Sequence, residues 1–177
     1  MIRKNASLLR FARREDGSMV IEFALWFPIF VALMGATIEL GMIGVRHMML
    51  ERGLDIAVRQ VKLNTGNPPQ HDDLKEFICQ EAAVIPDCLE VLKLEMRPLS
   101  LRDWAGIPAQ ADCVDRSQEV QPAAEYVPGA PHELMILRAC AKFTPIFPTT
   151  AIGASLALDN NDEYALVARN AFVQEPN

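Results

Sequence analysis

The chain has 177 residues, half of them apolar, and a formal charge of −6, which allows one membrane-length helix and one compact domain. Residues 1–17 hold five basic and two acidic side chains, leaving 12 basic against 21 acidic residues beyond them. An acidic remainder without a basic stripe argues against nucleic acid as a partner.

The first seventeen residues (Arg3, Lys4, Arg10, Arg13 and Arg14 among them) form a short basic leader that ends at Gly17. An apolar stretch follows. No charged side chain occurs from Phe23 to Ile38, and Leu40 to Val45 continues apolar after Glu39. That is enough to cross a bilayer, which takes ~20 mostly apolar residues. A carboxylate, Glu22, stands just inside the run. In hydrocarbon it would cost about 2.5–3.5 kcal/mol, so its presence points to a function and a partner. A cut between Gly17 and Ser18 would create an α-amino group four residues before Glu22, able to neutralise it within the chain or from a neighbouring copy. A cleaved secretory signal fits less well, because its apolar core is shorter and ends in a small-x-small site.

Gly17, Ser18, Glu22 and Phe23 together resemble the processing site of type IV pilin-like proteins. The longer string Gly-Ser-Met-Val-Ile-Glu-Phe-Ala-Leu-Trp-Phe-Pro at 17–28, with Ile-Glu-Leu-Gly at 38–41, is similar to TadE-like pseudopilins of the tight-adherence (Tad/Flp) pilus system. The resemblance is sharp over about 13–45. It continues loosely in the strands near Leu137 to Phe143 and near the C-terminus, and gives no motif over 64–132. It implies a pseudopilin or minor pilin cut by a prepilin peptidase at Gly17–Ser18, with Glu22 and Phe23 serving subunit assembly. The implied partners are the major pilin, other pseudopilins, the inner-membrane assembly platform and membrane lipid. Ser18 departs from the large apolar first residue of many type IV pilins, which bears on N-methylation more than on cleavage. The other reading is a bitopic inner-membrane protein with a periplasmic binding or enzyme domain; the mass and first residue of the mature chain separate the two.

Basic residues before the span favour a cytoplasmic N-terminus and a periplasmic domain by the positive-inside rule. All four cysteines (Cys79, Cys88, Cys113 and Cys140) lie beyond the span, where disulfides persist. A zinc site is the competing reading, but there is no Cys-x-x-Cys pair, and His47, His71 and His132 lack matching spacing. Three pairings are open. Cys79–Cys88 would tie a second helix to the first strand, and Cys113–Cys140 would pin a long loop across the sheet.

The N-terminal helix is expected from about Met19 to Lys62, as a transmembrane part (18–45) and a stalk (46–63). Pro28 should kink or loosen it near Ala24. Glu22 and Glu39 are seventeen residues apart, or ~25 Å along a helix, so only one sits deep in a core ~30 Å thick. Glu39, a secondary membrane carboxylate, is expected at the far interface, with water and Arg46 in reach and Gly41 beside it. Leu50, Leu54, Ala57 and Val61 form one helical face, for packing on the chain's own domain or also on neighbouring protomers.

The remainder, 64–177, reads as a periplasmic α+β domain. Thr65-Gly66-Asn67-Pro68-Pro69 ends the first helix. A second is expected from Asp73, as N-cap of a capping box with Glu76, to Ala83, stopped by Pro86. Period-two alternation predicts strands over Leu89–Pro98, Glu133–Phe143 and Glu163–Val173. They should form a small antiparallel sheet with one buried face that covers the stalk, a pilin-like arrangement. Two long connections, 99–132 and 144–162, complete the domain, the second either an exposed interaction loop or tucked into the core. Asp159 to Glu163 is oxygen-rich, but it lacks EF-hand spacing and reads as a solvated turn. No nucleophile elbow or phosphate loop is present. We expect no enzymatic activity, no cofactor and no metal.

Overall fold

The stripe Leu50, Leu54, Ala57 and Val61 is at most 1% exposed, and the fold is built on it. In the computed structural model, which describes residues 18–64, 66–100, 102, 108–116, 125–156 and 158–176, these side chains lie on α1 (Ser18–Leu63), a helix of 46 residues and thus about 69 Å long. The helix assignment is continuous through Pro28, whose missing N–H removes one hydrogen bond of the ladder. Burying each leucine contributes about 1.5–3 kcal/mol. The leader 1–17, Trp104 and Pro122 lie outside the described residues.

The sheet is three-stranded and antiparallel in the order β1 (Leu92–Pro98), β2 (Leu134–Phe143), β3 (Tyr164–Val173). Registers such as Leu94 opposite Ala139, and Ala139 opposite Ala168, put Leu92, Leu94, Met96, Met135, Leu137, Phe143, Tyr164 and Phe172 in the core with the α1 stripe. The fold is α+β: a long helix laid on a small antiparallel sheet, with short helices and two disulfides.

Three local expectations are corrected. The second helix, α2 (His71–Glu81), starts earlier than Asp73; its N-cap is Gln70, with no side-chain cap bond. Tyr126 donates its hydroxyl to Pro69 O at 2.8 Å and stands edge-on to the His71 ring, so a distant residue holds the start. Asp72 and Asp73 fall in the first turn, where negative charge complements the helix dipole. The helix also ends at Glu81, two residues short of the expected Ala83, with the Ala82 N–H bonded to Ile78 O. The first strand starts late, because Cys88–Val91 curls into a single helical turn, α3, on a left-handed Asp87. The Cys79–Cys88 disulfide ties that turn to α2. Where α2 crosses α1, a Cβ on Gly53 would stand 3.1 Å from Ile78 O, so the glycine permits the close approach.

The expectation of a single buried sheet face also needs correction. Lys93, Glu95 and Arg138 are buried on the opposite face. Arg138 clasps Glu95 through Nε and Nη2, at 3.0 and 2.6 Å, and donates from Nη1 to Pro108 O. Lys93 meets Asp112 at 2.8 Å, and Cys113 is bonded to Cys140. The 108–116 segment thus covers this face and supplies the partners that buried charges require.

Candidate functional site

Sequence places the functional residues on the N-terminal half of α1, and the structure gives that half two environments. From Met19 to Met34 every side chain is exposed. Glu22 and Phe23 are on this open part, where Phe23 stacks on Phe27 with ring centroids 5.1 Å apart. No described residue forms an ion pair with Glu22. Ser18 is the first helical residue, and Gly17 precedes the described region. A helix apolar around its circumference cannot be stable with these side chains in water; it belongs in lipid or among other helices.

From Gly35 onward the domain takes over. Gly35, Glu39, Arg46 and Leu50 are all buried, so the buried face extends about four turns N-terminal to the stripe read from periodicity. Glu39 is fully buried, and its Oε2 accepts the Phe147 N–H at 2.8 Å. A Cβ on Gly35 would lie 3.4 Å from the Thr150 methyl, so a small residue lets the 147–150 loop lie flat on the helix. In place of the expected water, Glu39 meets loop backbone. The expected neighbour Gly41 has open space around it.

Arg46 points elsewhere. Its guanidinium stands over the Phe143 ring, 4.9 Å from the centroid, and Nη1 donates to the Tyr164 hydroxyl at 3.3 Å. The ring face attracts the cation. Burial pushes the Tyr164 hydroxyl above its usual pKa, with the Arg46 hydrogen bond and charge pulling the other way. These contacts fasten α1 to the ends of β2 and β3. Periodicity missed this region because its residues are polar and their partners lie about a hundred positions away. The local clue was the string Thr-Pro-Ile-Phe-Pro-Thr-Thr, with two prolines rigidifying a loop.

The cysteines pair as Cys79–Cys88 and Cys113–Cys140, with Cα separations of 5.6 and 5.2 Å. The Asp159 turn is occupied by protein: Asp159 accepts Lys142 Nζ at 2.6 Å and the N–H groups of Asn161 and Glu163. Among the described residues no cluster of three or more histidine, cysteine or acidic side chains has metal-site geometry.

A long apolar helix with an open N-terminal half, seated on a small disulfide-bonded domain, defines a membrane-anchored protein whose distinctive surface is the helix itself. Residues 17–59, about a quarter of the chain and all of α1 but its last four residues, match the family model TadE, described as TadE-like protein; over that stretch the chain is similar to proteins of the Tad pilus system. No curated protein and no solved structure matches the chain.

Proposed function

We propose that the protein is a pseudopilin or minor pilin of a Tad/Flp-type adhesive pilus, assembled through contacts of its N-terminal helix. The observation that carries this reading is the coincidence of the TadE-like match, 17–59, with the helix whose side chains from Met19 to Met34 are all exposed. On this reading residues 1–17 are a leader, removed by a prepilin peptidase at Gly17–Ser18. The leader end is cytoplasmic, α1 crosses the inner membrane, and the disulfide-bonded domain 64–177 is periplasmic. The major pilin, other pseudopilins and the assembly platform are the partners, and no catalytic step is assigned to the domain.

Glu22 has the central role. Its carboxylate is costly in hydrocarbon, and the new amine of Ser18, from the same or a neighbouring chain, is its natural counter-charge. Glu22→Ala removes that cost, so insertion and cleavage should be at least as good as in the parent. Association should fall. Co-purification with pilin subunits from detergent extracts, beside a check of mature size, measures this. Full-strength association and piliation with Glu22→Ala would remove the role assigned to the carboxylate.

A further inference from the structure

We propose that the 145–150 loop is seated in the lipid of the leaflet at the far end of α1, against acyl chains, and that Glu39 holds it there. This rests on the membrane-spanning reading of α1. The geometry that leads to it is depth. Gly35, which the loop covers, lies seventeen residues beyond Ser18, a rise of about 26 Å. The hydrocarbon core is ~30 Å thick, and its near boundary is kept from moving earlier by the charged run Arg13 to Asp16 in the uncut chain and by the end of the chain at Ser18 after cleavage. If the near boundary were instead at Phe23, so that Glu22 stayed in the headgroups, Gly35 would sit deeper still. Either placement puts the contact between loop and helix inside the far leaflet.

Most of the loop's N–H positions suit that depth, the Ile146 and Thr149 N–H groups being the two without an acceptor among the described residues. Irregular backbone is tolerated at membrane depth only where its polar groups are satisfied by protein. Pro145 and Pro148 have no N–H to satisfy. The Phe147 N–H goes to Glu39, and its carbonyl accepts both the backbone N–H and the hydroxyl of Thr150. That hydroxyl in turn accepts the Gly153 N–H. Ile146, a large apolar side chain, is 42% exposed. Between the loop and α1 runs a groove of about 550 Å³, predominantly apolar and lined by Phe27, Val31, Gly35, Ile38, Phe147 and Thr150 among others. At this depth the solvent is acyl chain, which fits such a groove. The loop in turn roofs Glu39, so that the carboxylate faces backbone amide and not lipid.

The test uses the full chain reconstituted in phosphatidylcholine vesicles with bromine along one acyl chain. Ile146→Trp is placed in a Trp26→Phe, Trp104→Phe background, with Leu89→Trp, an exposed domain position, as the comparison. Seating in lipid predicts that Ile146→Trp emits to the blue of Leu89→Trp and is quenched several-fold more by brominated lipid, while iodide quenches only Leu89→Trp. Thr149→Trp should behave as Ile146→Trp does, which covers a local failure of either variant. Adding Glu39→Ala should release the loop and reduce the lipid quenching. Iodide quenching of Ile146→Trp would place the loop in water and overturn the proposal. Protection from both quenchers would put a second protein copy on the loop and overturn it equally. Carbonate extraction of the same samples keeps the two readings apart: protein that stays in the membrane with a water-exposed loop contradicts only the seating, whereas extracted protein contradicts the spanning reading as well.

Discussion

At the scale of single residues, the molecule uses carboxylates as ties. Glu39 takes a backbone amide from a loop 108 positions away, Glu95 neutralises Arg138 under a covering segment, and Asp159 organises a turn. Asp159 has a measurable consequence. Its hydrogen bond from Lys142, assisted by two backbone N–H groups, holds its carboxyl below the usual value of 3.8. A carboxyl depressed in the folded state contributes stability that is fully present above its unfolded pKa and is lost as pH falls through the folded value. The domain should therefore melt at progressively lower temperature below about pH 4, where carboxylates ordinarily titrate. Asp159→Asn should be less stable at neutral pH and show a shallower acid decline. Thermal melts of both proteins from pH 7 to pH 2 provide the check, and parallel curves would contradict the assignment.

At the scale of elements, what could be read from sequence was what repeats locally. The stalk stripe, the three strands and the end of α1 near Lys62 follow from periods of 3.6 and two and from a breaker cluster. The sequence was less informative wherever a distant residue decides. Asp73 looked like an N-cap, yet Tyr126 draws the helix start back to His71. Lys93 and Glu95 alternate like a solvated strand face, yet the 108–116 segment buries them. The 144–150 loop offered no period at all, because its conformation answers to Glu39. The Cys113–Cys140 bridge, with 27 positions between its ends, is the covalent part of the cover over β1 and β2. Replacing both cysteines by serine, so that no lone thiol can attack Cys79–Cys88, should cost about 2–5 kcal/mol. A urea midpoint without reductant reads that loss. Faster amide exchange confined to 108–116 and the sheet face beneath it should accompany it. An unchanged midpoint would mean that the ion pairs alone hold the cover.

At the scale of the whole molecule, one helix joins two solvents. Its side chains from Met19 to Met34 are exposed, and from Gly35 on one face is closed by the domain. Hydropathy put the end of the membrane part at Val45, whereas burial by the domain begins ten residues earlier, because Glu39 and Arg46 are sheltered by protein and not by lipid. The domain reaches the α1 segment assigned to the membrane, leaving the N-terminal half free for lipid or for other helices. The function proposed depends on that half starting at Ser18 with a free amine. Intact mass spectrometry of the unreduced protein taken from membranes tests this most directly, with Gly17→Arg as the comparison. The account predicts a wild-type chain that begins at Ser18, carries no alkylatable thiol, and is seventeen residues shorter than Gly17→Arg. A wild-type chain that retains Met1, or a Gly17→Arg chain cut at the same bond, would contradict it.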